Sequence, residues 1–266
     1  MITHHLLRLC TSLVLVLTLT NCGAINLFPV SEDQRLGASF DEQIKSNKRE
    51  YPLYADPAAT GYVQSIVDSI VRAPEVQFRG TFPYRVQLLH DDATINAFCT
   101  PGGYIYVYTG LLKAINNEAT LAGVLGHEIA HAERRHSTNR MTTQLGLQTL
   151  TSIALGSSSG REVQLAANAF TGLGLLQNSR SDEEEADAYS FRYLRHTHWY
   201  PGGILYFFEQ VKGRSGTSLD RLLSTHPLPE DRIRQTEERL KEANLPAPSE
   251  DALGAIPYAA FKRMLK

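Results

Sequence analysis

Cysteine is scarce in this chain: Cys10, Cys22 and Cys99 are the three in 266 residues. That is too few, and too scattered, for a disulfide framework. Basic runs are missing as well. With 26 Lys and Arg against 28 Asp and Glu, the formal net charge is −2, and nothing favours nucleic acid as a partner. No internal repeat is visible. The longest purely apolar stretch near the start, Leu13–Leu17 with Leu19 beyond it, is too short to span a bilayer comfortably. What remains is ordinary globular material, 42% hydrophobic and 20% charged, enough for one domain with appendages.

The first 22 residues stand apart. His4, His5 and Arg8 make a weakly basic start, a short apolar core follows, and the stretch ends in "LTNC" before Gly23. That order reads as a secretory signal. The ending resembles a bacterial lipobox, which would make Cys22 the lipidated first residue of the mature chain. Asn21 departs from the usual small residue there. Gly23 after the cysteine resembles lipoproteins sorted to the outer membrane, so the expectation is an exported protein anchored on its periplasmic face. Several buried acyl chains hold a protein stably, at about 0.8 kcal/mol per methylene. With Cys10 lost in the signal, Cys99 has no partner for an internal disulfide.

Expected organisation is a signal at 1–21, a tether at 22–30, one domain at 31–245, and a linker with a short tail at 246–266. Apolar spacing predicts helices over 31–48, with Ser31 as N-cap, and within 54–74, where Tyr62, Val63, Ile66, Val67 and Ile70 stand at helical spacing and the helix ends before Pro74. Strands are expected at 84–90 and 104–108, with a turn at Pro101-Gly102-Gly103 between 96 and 106. Further helices are expected at 118–135, 138–155, 161–177, 182–196, 201–212 and 230–243, and a short amphipathic one in 251–266. This is a mainly helical α+β pattern.

One stretch carries chemistry. In "EATLAGVLGHEIAHAERRH" (118–136), His127 and His131 lie one helical turn apart, so both imidazoles can reach one metal ion. Glu128 projects about 100° away from His127, towards a water rather than the metal. A third ligand is needed. The histidine expected six residues after His131 is Ser137, and His136, at five, should face away on a continuous helix. Downstream, Glu183 and Asp187 stand four apart on one face of another expected helix. A carboxylate could complete the set, and an acid one turn later could fix a ligand imidazole. Acids in a first turn are also what the helix dipole favours without any metal.

"NAFCTPGGYIYVYTGLL" (96–112), the two-histidine stretch, "SRSDEEEADAYS" (179–190) and "STHPLPEDRI" (224–233) come in the order found in the HtpX and CAAX-prenyl-protease family of gluzincin metallopeptidases, and the chain resembles its exported lipoprotein members. The resemblance implies a zincin (gluzincin) fold whose small sheet flanks the active-site helix with its edge strand. It implies one zinc ion held by His127, His131 and Glu183, with Glu128 as general base and Asp187 behind a ligand. Asn96, Ala97, Phe98, Gly102 and Gly103 would present an extended substrate to that edge. His226 would approach the metal, as oxyanion stabiliser or reversible plug, and Arg232 could share the first role. The implied activity is endoproteolysis of unfolded or misassembled envelope proteins. A holdase with a latent site, or a lipoprotein with a purely structural zinc, are rival readings. Intramembrane relatives have several spans where this chain is expected to have none, so prenyl-protein processing is not expected. Nor is the helical repeat domain that follows in some exported relatives.

Overall fold

The computed structural model describes residues 26, 28–144, 178–211, 222–226 and 230–266. The signal, Cys22, the 161–177 helix and most of the 138–155 helix lie outside them. Helix α1 (Val30–Ser46) starts behind Pro29, whose extended backbone serves as the cap. Ser31 is therefore inside the first turn, and the expected Ser31 cap is corrected. Helix α2 (Pro57–Ile70) lies within the expected stretch. Asp56 caps it by accepting from the backbone N–H of Ala58 and Ala59, and Pro57 suits the first turn.

Three strands follow: β1 (Arg85–Leu89), β2 (Ala97–Thr100) and β3 (Tyr104–Tyr108). Their order is β1-β3-β2, with β1 parallel and β2 antiparallel to β3. The turn joining β2 to β3 holds Gly102 and Gly103 at φ +75° and +83°, a region that favours glycine. A Cβ on Gly102 would lie 2.8 Å from the Asp33 carbonyl oxygen, and one on Gly103 3.0 Å from the Tyr84 ring. These two glycines pack the turn against α1 and Tyr84.

The short α3 (Thr109–Ala114) leads to α4 (Glu118–Glu133), the helix the fold is built around, buried along its whole length. Asn117 caps it, accepting from the Thr120 N–H. Glu118 in its first turn accepts from Tyr62 Oη and Trp199 Nε1. Small residues let neighbours come close. A Cβ on Gly123 would sit 2.4 Å from the Ile204 nitrogen, and one on Gly203 1.8 Å from the Ala119 carbonyl oxygen. Ser190 Oγ donates to the Gly123 carbonyl at 2.9 Å.

Helix α4 stops where Arg135 takes φ +56°, and α5 (His136–Gln144) leaves in a new direction. Across the centre lies α6 (Arg180–Leu194), opened by a capping box between Ser179 and Asp182. Helices α7 (Gly203–Val211), α8 (Glu230–Glu242), α9 (Glu250–Leu253) and α10 (Ala255–Lys262) complete the layer. The C-terminal stretch is two helices hinged at Gly254, φ +64°, and its Tyr258 and Phe261 join the same core as α4. No helix among the described residues is long and apolar enough to cross a membrane.

Candidate metal centre

Helix α4 carries His127, Glu128 and His131, and α6 brings Glu183 and Asp187 opposite them. All five are buried. His127 Nε2 and His131 Nε2 face each other at 2.9 Å. Glu183 closes the set: Oε2 is 3.3 Å from His127 Nε2, and Oε1 is 3.2 Å from His131 Nε2. His226, arriving from residues 222–226, puts Nδ1 3.0 Å from Glu183 Oε1 and 3.4 Å from His127 Nε2. Four donor atoms thus lie within 4.8 Å of one another.

Do these atoms suit a metal? His127 Nδ1 is 2.8 Å from Asp187 Oδ1, and a carboxylate only accepts, so that nitrogen carries the proton and Nε2 the lone pair. Two lone pairs pointing at each other at 2.9 Å repel unless a cation or proton lies between them. Zinc–nitrogen bonds of about 2.0–2.1 Å in a tetrahedron put donors roughly 3.3 Å apart. The measured separations bracket that edge. The donor chemistry and spacing fit a divalent cation.

Electrostatics agree. Burial works against a charged His127, yet Glu183 and Asp187 outweigh it and push its pKa up to about 10. Burial and the His127 charge hold His131 well below the ordinary imidazole range. The pair therefore keeps one proton where a cation fits. Burial would raise Glu183, but His226, His127 and His131 overcome it and keep the carboxyl well below its usual value. Glu128 goes the other way: burial, helped by Glu183, lifts it against His226 and His127. The Cys99 backbone N–H bonds its carboxylate.

Arg232 Nε and Nη2 donate to the two oxygens of Asp187 at 2.6 and 2.8 Å, and Nη1 lies 2.7 Å from Glu183 Oε2. It offsets two buried acids. Burial opposes the charge on Asp187, but Arg232 and His127 hold that carboxyl below its usual value.

The place expected of His136 is corrected. Because α4 breaks at Arg135, its ring folds back and places Nδ1 2.7 Å from His131 Nδ1. Glu185 Oε2 meets His136 Nε2 at 2.9 Å. Asn178 carried no signal in the sequence, lying outside any spacing pattern. Its Nδ2 is 3.2 Å from His131 Nε2, and its N–H donates to the Thr225 carbonyl.

Two recesses flank the centre, and both are lined by Glu128 and His226. One is apolar, walled by Leu111, Val124, Ile204, Phe207 and Phe208, with Ala97 of β2 at its rim. Phe98 and Cys99 line the other. Asn96 is buried, and its Oδ1 has no hydrogen-bond partner among the described residues.

A buried helix with His-Glu-x-x-His on one face, a sheet edge beside it and a carboxylate from a second helix define a metallopeptidase of the zincin type. The chain belongs to peptidase family M48, whose model matches residues 57–240. The family implies a divalent metal. The chain is 28% identical over 225 residues to the beta-barrel assembly-enhancing protease of Escherichia coli K12, covering 80% of this chain and 45% of that one. It is 28% identical over 238 residues to the mitochondrial metalloendopeptidase OMA1 of Schizosaccharomyces pombe, covering 88% and 68%. To the metalloprotease YcaL of E. coli K12 it is 27% identical over 161 residues, covering 59% and 61%. It spans about half the length of the beta-barrel assembly-enhancing proteases it matches.

Proposed function

We propose that the chain is a zinc-dependent endopeptidase, one ion per chain, held by His127, His131 and Glu183. The observation that carries this is the convergence of two Nε2 lone pairs and one buried carboxylate at mutual separations of 2.9–3.3 Å. Zinc there would polarise a scissile carbonyl and lower the pKa of a bound water towards about 7. Glu128 takes a proton from the attacking water and returns it to the leaving amine. Its raised pKa moves it towards the range where it can do both. Asp187 fixes the His127 tautomer, and Arg232 holds Asp187 and Glu183 in place. An extended peptide lies along β2, at Asn96, Ala97 and Phe98, its main chain supplying sequence-tolerant hydrogen bonds.

A second reading concerns the resting state. His226 belongs to the donor set and lies between the two recesses, with Nε2 3.5 Å from Glu128 Oε1. That favours a reversible plug over an oxyanion donor. Substrates are unfolded or misassembled envelope proteins, a reading supported by the likeness to the beta-barrel assembly-enhancing protease of E. coli. The lipobox-like "LTNC" supports anchorage through Cys22 on the periplasmic face of the outer membrane. The peptidase unit is taken as 31–245, with 246–266 beyond it.

Glu128→Gln tests the reading. It should keep stoichiometric zinc and lose about 10²–10⁴-fold in casein cleavage. A variant that cleaves like the parent would sink the hydrolytic mechanism. A chain that keeps its cellular function with Glu128→Gln would point to a holdase instead. Purified protein without stoichiometric zinc would remove the ligand assignments.

A further inference from the structure

His127 and His131 differ in what stands behind them. Behind His127 is Asp187, the usual carboxylate, and behind Asp187 is Arg232. Behind His131 is a second imidazole. His136 Nδ1 lies 2.7 Å from His131 Nδ1, His136 Nε2 lies 2.9 Å from Glu185 Oε2, and Arg134 Nε donates to Glu185 Oε1 at 3.0 Å. Both chains end on arginine, but one has a histidine inserted.

The proton positions follow from the outer end inwards. Glu185 only accepts, so His136 Nε2 donates. The neutral His136 then has a lone pair on Nδ1, and the 2.7 Å contact requires His131 Nδ1 to donate into it. That leaves the His131 lone pair on Nε2, facing His127 and Glu183. Asn178 reaches the same conclusion from the other side, since its Nδ2 donor lies 3.2 Å from His131 Nε2. The geometry of the break makes this possible. Arg135 at φ +56° turns the chain so that a residue five past His131 meets its ring edge-on, centroids 4.9 Å apart.

We propose that His136 is a positioning residue, fixing the tautomer and aim of His131 in place of the carboxylate that serves His127, and that Glu185 fixes His136 in turn. The proposal rests on reading His131 as a metal ligand. Partners behind a ligand imidazole typically change metal affinity by about 10–100-fold when removed.

The test uses zinc affinity by chelator competition and ¹⁵N-histidine NMR of the zinc-free chain. In the parent, His131 should carry its proton on Nδ1. His136→Phe should lower zinc affinity by roughly 10–100-fold and leave His131 as a mixture of tautomers. His136→Asn, whose Oδ1 can accept from His131, should recover most of that loss and restore the Nδ1 proton. A merely structural role would not move the tautomer or be rescued by asparagine. If His136→Phe does not fold, Glu185→Ala, at a partly exposed carboxylate, should still weaken zinc by about threefold or more. Unchanged zinc affinity in the folded variants, or a parent His131 protonated on Nε2, overturns the proposal. A parent that binds no zinc instead overturns the reading of the centre, with the NMR result still deciding the role of His136.

Discussion

Glu183 is fully buried, and three of the four side chains paired with its carboxylate carry a nitrogen of the donor set. Taking a carboxylate out of water costs several kcal/mol unless it is paired, and here His127, His131, His226 and Arg232 surround it. His226 also lies beside Glu128, with Nε2 3.5 Å from Glu128 Oε1. If His226 occupies the fourth donor position in nine molecules of ten, freeing that position raises the apparent rate roughly tenfold. His226→Ala should therefore cleave unfolded casein faster than the parent at equal zinc content. A rate equal to or below the parent's removes the plug, and a fall of about 10²-fold would assign His226 to the oxyanion instead. The pairs His127/His131 and Glu183/Asp187 were legible because helical spacing brings each pair to one face, while the choice of these acids as partners of the histidines came from the family resemblance. His136 was not. Its place depends on Arg135 in the left-handed region, where an arginine gives no local cue. The pairing of Arg232 was not legible, because its partners lie 45 and 49 residues earlier in the chain, beyond any local pattern.

At the level of elements, close approach of helices sets the width of the apolar recess. Helix α7 crosses α4 where Gly203 meets Ala119 and Gly123 meets Ile204, main chain against main chain. Those glycines lie in stretches whose periodicity was readable, but the crossing itself was not, since spacing says which face is apolar and not which neighbour it meets. The same limit hid the short α3. A Cβ at 203 would stand 1.8 Å from the Ala119 carbonyl oxygen, so the backbone must move. Overpacking of this kind costs about 1–3 kcal/mol or more, and Gly203→Ala should lower Tm by roughly 2–10 °C. It should also shift Ile204, Phe207 and Phe208, raising KM for casein while zinc content stays unchanged. A parent-like Tm and KM would mean the two helices slide apart freely.

Across the whole molecule, the C-terminal residues beyond the family match behave as a brace for α4. The match ends at residue 240, yet Tyr258 and Phe261 are buried in the shared core. Tyr258 Oη donates to the Leu112 carbonyl, Lys262 Nζ to the Ile115 carbonyl, and the Glu118 N–H to the Gly254 carbonyl. Phe261 stacks on Tyr62 at 4.1 Å and 9°, and Tyr62 Oη donates to Glu118 in the first turn of α4. The contacts converge on the start of the helix that carries His127, Glu128 and His131 about two and a half to three and a half turns further on. Truncating a buried phenylalanine costs about 3–5 kcal/mol. At roughly 2–4 °C per kcal/mol for a domain of this size, Phe261→Ala should lower Tm by about 6–20 °C in a single transition. Because the brace and the centre share α4, zinc should be lost in that same transition, followed by a zinc-responsive dye during the thermal scan. A two-step melt, with the tail released first and zinc retained until the second step, would show that the brace folds independently of the centre and would sink the coupling.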